Sequence, residues 1–275
     1  MIKSKKNILV AGCSYSVDNI QSGIWKEKNL HKHYSNILSN MENIIVDNIA
    51  IGGCSNKEIF YRTSEKCFDR KYDFCIVQWS QLHRFWVYES DNNIDDGTQI
   101  LPRVCGKMTD KSPAQKLHKI MTSYYLNSFV ALKHWLIDQI MLQNFFQRNK
   151  IDYVFLRGFR NHIVGLEKII KQNPFTKNKN IKPISTLSIP DDIKKILHFD
   201  QNPDHYLEQK LKDLLSLYCQ IDKTFCIGYN ENIQTYGIDK KVCDLDNDFA
   251  DDNQHPGEKT NYLIAEKILK RIENI

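Results

Sequence analysis

The residues best placed to do chemistry are a serine near the start of the sequence and an Asp-x-x-His segment near its end. Ser14 follows the apolar run 8–12, and Asp252 and His255 stand just before a helical pattern. A serine hydroxyl is a good nucleophile only when a base removes its proton, and histidine is the usual base near neutral pH. A carboxylate fixes the imidazole tautomer and stabilises the cation that forms. The pattern therefore indicates nucleophilic catalysis by Ser14, with His255 as the base and Asp252 as the group that orients it.

These segments resemble the motifs of the SGNH (GDSL-like) hydrolase superfamily. In that family the nucleophilic serine follows the first strand, and an Asp-x-x-His lies near the C-terminus, as Ser14, Asp252 and His255 do here. One departure is Cys13, which stands where the family usually has an aspartate. The resemblance implies a serine hydrolase that cleaves a small acyl ester through a covalent acyl-enzyme, with no cofactor and no metal.

The same resemblance implies an oxyanion hole built from three strand ends. In the family its donors are the N–H of the serine, a glycine N–H after strand two and an asparagine side chain after strand three. Residues 48–53 resemble the second block, so the expected donors here are the N–H groups of Ser14 and Gly53. At the third block Gln81 falls on the asparagine position and carries its amide on a longer side chain. Two interpretations of Gln81 stay open, a third oxyanion donor or a residue that only caps a turn.

The motifs leave the substrate and the reaction partly open. An O-acetylated carbohydrate is one candidate substrate. One alternative is an O-acyltransferase, because the same triad can pass the acyl group to a sugar acceptor. Another is a catalytically silent binding or assembly module that keeps the fold. Cys13 is a further candidate nucleophile, although its side chain is expected to point away from that of Ser14.

Composition excludes several other classes of protein. The chain has 275 residues, of which 41% are hydrophobic, enough to bury one sizeable core. Its net charge of +5 comes from scattered lysines rather than a basic stripe, so a nucleic-acid partner is not expected. No apolar stretch is long enough for a signal peptide or a membrane span, which predicts a cytoplasmic protein. The eight cysteines form no Cys-x-x-Cys pair, so buried free thiols are expected, and His31 and His33 are expected at the surface.

The elements that must position these residues are strands whose ends meet at one edge. Five strands are predicted from apolar and β-branched runs, at 7–12, 44–51, 72–79, 151–158 and 224–229. Helices are predicted between and after them, at 24–40, from 56 to about 67, at 114–149 with a break near 127–128, within 160–218, and at 257–273.

This alternation predicts an α/β fold, a doubly wound and mostly parallel sheet of about five strands of the flavodoxin-like kind. A single domain over 1–275 is expected, with insertions at about 82–115 and 160–205. Within the first insertion, residues 85–114 show no clear period and are expected to be a loop. Both insertions follow strand ends, so they are expected to overhang the edge where ligands bind in such sheets.

Overall fold

A parallel five-stranded sheet forms the centre of the structure, a computed structural model. It describes residues 5–18, 23–24, 26–80, 82, 85–88, 97–100, 128–157, 204–227, 248, 250–251 and 255–273. The strands are β1 Lys6–Ala11, β2 Ile44–Asn48, β3 Phe74–Trp79, β4 Phe85–Tyr88, β5 Gly97–Ile100, β6 Asp152–Arg157 and β7 Cys226–Ile227. The α-helices are α1 Tyr34–Ser39, α2 Asn56–Asp69, α3 Ser128–Asn149, α4 Asp204–Gln220 and α5 Glu258–Glu273. Two 3-10 helices span Glu27–Lys32 and Lys223–Phe225.

The order of the strands creates a crevice at one edge of the sheet. The five strands lie in the order β2-β1-β3-β6-β7, and every neighbouring pair is parallel. The chain therefore winds outward from β1 to β2 and then returns across β1 to β3. At such a switch point the loops after the two strands diverge, and ligands of open α/β sheets bind there. The topology confirms the predicted α/β class with a doubly wound, parallel sheet.

Both faces of the sheet are covered. Along β1, Leu9 packs into a core cluster with residues of α2, α3 and α4, whereas Ile8 and Val10 pack into a second cluster with α1 and α5. All three side chains are fully buried. Burying an aliphatic side chain of this size contributes about 1.5–3 kcal/mol relative to exposure. Burial on both faces explains why the strands are continuously apolar instead of alternating.

Helix α2 begins at a serine N-cap. The Ser55 hydroxyl accepts a hydrogen bond from the Glu58 N–H at 3.1 Å, and Ser55 has extended backbone angles. A serine at the N-cap with a glutamate three residues later satisfies free N–H groups of the first turn. The helix start is thus set directly after the glycine pair 52–53, at the carboxyl end of β2.

Three of the predicted elements differ from the structure. The single helix expected at 24–40 is wrong, because it divides at His33, which is extended (φ −73°, ψ 142°) and caps α1 with its side chain. The expected loop at 85–114 is wrong at its start, where β4 pairs antiparallel with β5. Four consecutive aromatic or β-branched residues in β4 favour a strand. The fifth strand begins at Cys226, later than the expected 224, because a 3-10 turn capped by Asp222 precedes it, and residues 228–229 lie outside the described part.

Other expectations fall partly outside the described residues. Helix α3 confirms the predicted helix from Ser128, and the proposed stretch from 114 to 127 lies outside the described part. Most of both insertions lies outside it as well, so the single domain over 1–275 stays a prediction. The six described cysteines are free thiols, and four of them are buried. Among the described helices, none is both long and apolar enough to span a bilayer.

Candidate functional site

Ser14 lies in a tight turn at the carboxyl end of β1. The Ser16 N–H donates to the Cys13 carbonyl at 2.8 Å, which closes the turn around Ser14. Ser14 is half-buried, and within the described part of the chain neither its hydroxyl nor its N–H makes a hydrogen bond. The serine therefore lies half-buried at the switch point between β1 and β3, where its hydroxyl and N–H are not used by the described residues.

The turn rests on a buried glutamine of β3. Gln78 Oε1 accepts from the Cys13 N–H at 3.3 Å and from the Ser16 hydroxyl at 3.2 Å. The strand and the turn approach so closely because residue 12 is glycine. A Cβ at Gly12 would stand 2.9 Å from Gln78 Cβ and 2.8 Å from Ser16 Oγ. The Gly12 of the motif is thus required by close packing beneath the turn.

Cys13 belongs to the core instead of the crevice. Its side chain is fully buried, and its thiol donates to Gln78 Oε1 at 3.3 Å. The side chain therefore points into the core. This geometry disfavours Cys13 as the nucleophile.

The loop after β2 runs beside the Ser14 turn. The Ile49 N–H donates to the Val10 carbonyl at 2.8 Å, and the Ile51 N–H donates to the Gly12 carbonyl at 3.1 Å. These bonds extend the pairing of β1 and β2 beyond Asn48, as far as Gly12 at the start of the Ser14 turn. Gly53, two residues further, has φ +84°, a left-handed conformation that favours glycine. Among the described residues, neither the Gly53 N–H nor the Ser14 N–H has a hydrogen-bond partner.

The end of β3 is fastened to the start of α2 by a side-chain amide. Asn56 Oδ1 accepts from the Ser80 N–H at 2.7 Å, and Asn56 Nδ2 donates to the Ser80 carbonyl at 3.3 Å. Both residues are buried. Gln81, the next residue, lies outside the described residues, so its role as oxyanion donor stays a prediction. Ser80 and Leu82 are buried.

His255 stands in a short loop that is tied at both ends. The Ala250 N–H donates to the His255 carbonyl at 2.9 Å, and the Gly257 N–H donates to the Asp248 carbonyl at 2.8 Å. The imidazole ring is half-buried and contacts the ring of Tyr15, with 5.1 Å between centroids. The structure thus brings His255 to the residue next to Ser14, across the whole length of the chain. No hydrogen bond joins Ser14 to His255 among the described residues.

Helix α5 holds this loop in place. The Asp248 carboxylate accepts from the Thr260 N–H at 2.7 Å and from the Thr260 hydroxyl at 2.6 Å. Asn261 Nδ2 donates to the carbonyls of Pro256 and Gly257 at 3.0 and 2.8 Å, while its Oδ1 accepts from the Tyr34 N–H at 3.1 Å. The loop that carries His255 is therefore bonded both to α5 and to the start of α1.

Asp252 lies outside the described residues, so its role beside His255 stays a prediction. Its neighbour Asp251 is engaged elsewhere, since its carboxylate accepts from the Lys26 N–H at 2.7 Å and from Asn29 Nδ2 at 2.8 Å. Partial burial raises the pKa of Asp251, but these hydrogen bonds outweigh it and hold the pKa below its ordinary value. Asp251 therefore anchors the 3-10 helix at 27–32.

The expectation that His33 lies at the surface is wrong, whereas His31 is exposed. His33 is 1% exposed, and its Nε2 lies 3.2 Å from the Tyr15 carbonyl oxygen. Its Nδ1 accepts from the Ser35 N–H at 3.2 Å. Sequence alone gives two histidines two residues apart the same appearance, and here they differ because only His33 packs against the turn that carries Ser14. Asn48 joins the same network by donating from Nδ2 to the Ser16 carbonyl at 2.8 Å.

The polar residues around the turn carry only a weak signal in the sequence. Gln78 is a lone polar residue in the otherwise apolar strand β3, which is the one pattern that could have indicated a buried role. Asn56 looks like an ordinary first-turn helix residue, and Asn261 like a polar position on an amphipathic helix. Among the described residues, no three His, Cys, Asp or Glu side chains are grouped as metal ligands would be.

Comparison with known proteins found likeness in structure alone. No protein-family model and no curated protein matches the chain. The psychrotrophic esterase EstA from Pseudoalteromonas sp. is similar at 10% identity over 98% of both chains, with a TM-score of 0.44. The acetyl xylan esterase AlAXEase is similar at 10% identity, over 97% of this chain and 99% of that one, with a TM-score of 0.42. Axe2, an acetylxylan esterase from Geobacillus stearothermophilus, is similar at 13% identity over 98% and 95%, with a TM-score of 0.40. Likeness at this level is too low to transfer an activity.

Proposed function

We propose that the chain is a serine esterase of the SGNH type that cleaves a small acyl ester. The observation that carries the proposal is the arrangement at the switch point. Ser14 stands on a braced turn, and its N–H and that of Gly53 both lack a hydrogen-bond partner among the described residues. His255 comes from the far end of the chain to contact the neighbouring Tyr15.

In the proposed reaction Ser14 Oγ attacks the ester carbonyl carbon while His255 takes the hydroxyl proton. The negative charge that develops on the carbonyl oxygen is stabilised by the N–H groups of Ser14 and Gly53, with the Gln81 amide as a third donor. The C–O bond to the alcohol then breaks, and the alcohol leaves with the proton from His255. Water attacks the acyl-enzyme by the same steps and releases the carboxylic acid. Asp252 orients His255 throughout.

The fixed backbone N–H groups of Ser14 and Gly53 support this assignment. Backbone N–H groups that are fixed by a braced turn and by a left-handed glycine are preorganised donors, and one such donor is worth about 3–4 kcal/mol in a transition state. The absent Ser14–His255 hydrogen bond is compatible with the proposal, because catalytic hydrogen bonds are often long without substrate and tighten in the complex. The substrate is proposed to be a small acyl ester, an O-acetylated carbohydrate among the candidates.

The proposal is tested by labelling with a fluorophosphonate probe together with turnover of a chromogenic acetyl ester. Wild-type protein should react at Ser14, and Ser14→Ala should lose both labelling and turnover with little change in stability, since a half-exposed hydroxyl contributes little to it. Ser39→Ala serves as the matched control, because Ser39 is an exposed serine at the end of α1. Labelling that persists in Ser14→Ala and disappears in Cys13→Ala would overturn the assignment of the nucleophile.

The same experiment separates the alternative functions. A silent binding module on this fold would neither label nor turn over the ester. An O-acyltransferase would label at Ser14 and form acylated product only when a sugar acceptor is added. Hydrolysis to free acid without an acceptor supports the esterase.

A further inference from the structure

His33 occupies an unusual place behind the turn that carries Ser14. It separates the 3-10 helix at 27–32 from α1 and is almost completely buried. Its ring packs against that of Tyr34, with 4.5 Å between centroids. Both ring nitrogens are engaged, Nδ1 with the Ser35 N–H and Nε2 with the Tyr15 carbonyl. The ring thus connects the start of a helix to the residue after Ser14.

The hydrogen-bond partners determine which nitrogen of His33 carries the hydrogen. The Ser35 N–H can only donate, so Nδ1 accepts and is unprotonated. The Tyr15 carbonyl can only accept, so Nε2 carries the hydrogen and donates it. The Ser35 hydroxyl lies 2.9 Å from Nδ1, but it donates its one hydrogen to the Asp18 carboxylate. His33 is therefore the Nε2–H tautomer.

Burial agrees with a neutral ring. It lowers the pKa of His33 to about 4, against the weaker opposing effects of the Asp18 carboxylate and the Tyr15 carbonyl. Near neutral pH the ring thus has a single N–H. It is the Nε2–H, which donates to the Tyr15 carbonyl.

The bond to Tyr15 completes the bracing of one peptide unit. The Tyr15 carbonyl and the Ser16 N–H belong to the same planar peptide group. His33 Nε2 holds the oxygen of that group at 3.2 Å, and the Cys13 carbonyl holds its N–H at 2.8 Å. A peptide plane that is bonded at both ends cannot rotate about its long axis without breaking a bond. Its orientation fixes the backbone immediately after Ser14.

We infer that His33 is a positioning residue for the nucleophile, holding the Ser14 turn through the Tyr15–Ser16 peptide unit. The inference rests on the proposed function of Ser14 and adds a second histidine to the site. Without the bond, the peptide unit is held at its N–H end alone, so its oxygen end can tilt and shift Ser14 relative to Gly53 and His255. Displacement of a catalytic group by about 1 Å costs on the order of a hundredfold in rate.

Two amide variants separate the two bonds of His33. His33→Asn places a side-chain oxygen near the position of Nδ1, so it can cap α1 but cannot reach Tyr15. His33→Gln places an amide N–H near the position of Nε2, so it can hold Tyr15 while weakening the cap. His31→Asn and His31→Gln are matched controls at an exposed histidine two residues away. Each protein is measured for kcat, KM and the hydrogen exchange of the amides of residues 13–16.

We expect His33→Asn to lower kcat by about tenfold to a hundredfold with KM nearly unchanged, and to speed exchange of the Ser16 amide. His33→Gln should keep kcat within about threefold of wild type even if its stability falls, and the His31 variants should match wild type. Loss of kcat in His33→Gln but not in His33→Asn would overturn the inference in favour of a helix cap alone. Wild-type behaviour of both His33 variants in both measurements would overturn it as well.

Hydrogen exchange also keeps this inference separate from the proposed esterase. If wild-type protein neither labels nor turns over esters, the proposed function fails while the exchange experiment still decides the role of His33. Faster exchange of the Ser16 amide in His33→Asn than in His33→Gln would then support the bracing of the turn. Equal exchange in the two variants would overturn it.

Discussion

The ring of His255 lies 5.1 Å from the ring of Tyr15, centroid to centroid, with 59° between the planes. Tyr15 follows Ser14 directly, and its carbonyl accepts from His33 at 3.2 Å. One residue of the turn is thus contacted by two histidines, one on its side chain and one on its backbone. The ring contact is a direct link between the two sequence motifs, because it joins the first strand end to the loop before α5.

This contact predicts that the Tyr15 ring, rather than its hydroxyl, supports His255. Tyr15→Ala removes the ring and should lower kcat by about tenfold, because the imidazole of His255 loses the aromatic ring against which it packs. Tyr15→Phe keeps the ring and should retain most of the activity. Steady-state kinetics of both variants on the same ester make the comparison. Equal activity in Tyr15→Ala and Tyr15→Phe would show that the ring contact has no part in the reaction.

The adjacent aspartates offer a matched pair for the carboxylate that orients His255. Asp251 is engaged with Lys26 and Asn29, so Asp251→Asn should affect stability modestly and leave kcat nearly unchanged. Asp252→Asn should lower kcat by roughly a hundredfold or more, because an amide cannot stabilise the imidazolium that forms. The measurement is kcat for both variants, with thermal unfolding to compare stability. A larger loss of kcat in Asp251→Asn would reverse the assignment.

Close packing under the Ser14 turn predicts a strong effect at Gly12. A Cβ there would meet Ser16 Oγ at 2.8 Å and Gln78 Cβ at 2.9 Å, both in buried residues. Gly12→Ala should therefore lower the free energy of unfolding by about 1–3 kcal/mol and reduce kcat by moving the turn. Gly52→Ala is the control, because a Cβ at Gly52 has no heavy atom within 4 Å. Denaturant unfolding that gives the same stability for both variants would contradict this account of the packing.

Gln81 is predicted to be the third oxyanion donor. Gln81→Ala should lower kcat by on the order of a hundredfold to a thousandfold and leave KM nearly unchanged, since the donor acts on charge that develops in the transition state. Gln209→Ala, at an exposed glutamine of α4, controls for loss of an amide elsewhere. A loss of less than about threefold in a folded Gln81→Ala protein would leave Gln81 as a turn residue and the two backbone N–H groups as the only donors.

The buried His33 predicts a decrease in stability at acid pH. Its pKa in the folded protein is lowered to about 4, whereas an unfolded histidine titrates near 6.5. The unfolded chain therefore takes up the proton first, so this contribution is fully present above about pH 6.5 and is lost as the pH falls towards 4. The expected decrease in the free energy of unfolding is roughly 3 kcal/mol.

Denaturant unfolding of wild type and His33→Gln between pH 4 and 7 tests this, because the variant has no imidazole at this position. Among the residues that the structure describes, Asp18 and Tyr34 are titratable groups that face the ring, and both are present in the two proteins. Burial raises the pKa of Tyr34, so Tyr34 stays neutral across this range. Identical pH dependence in the two proteins would refute the assignment to His33.

The architecture was largely predictable from the sequence because its signals are local. The apolar runs that became β1, β3 and β6 are buried on both faces, and each reads as a strand without reference to the rest of the chain. The glycines at 12 and 53 stand where a strand ends in a tight turn. Alternating strands and helices then leave few topologies, and the parallel doubly wound sheet is one of them. The hairpin of β4 and β5 was missed because short strands carry a weak periodic signal.

The sequence by itself determined where Ser14 and His255 stand along the chain and which strand end carries the serine. Only the tertiary structure decided how that serine is held, because the residues that hold it are distant in sequence. Gln78 reaches Cys13 across 65 positions, and Asn261 reaches Tyr34 across 227. His33 and His31 have the same side chain two residues apart, yet only His33 is buried. A polar side chain becomes part of a site when burial removes water and leaves only protein groups as partners for its polar atoms, and the packing of the whole chain determines which groups those are.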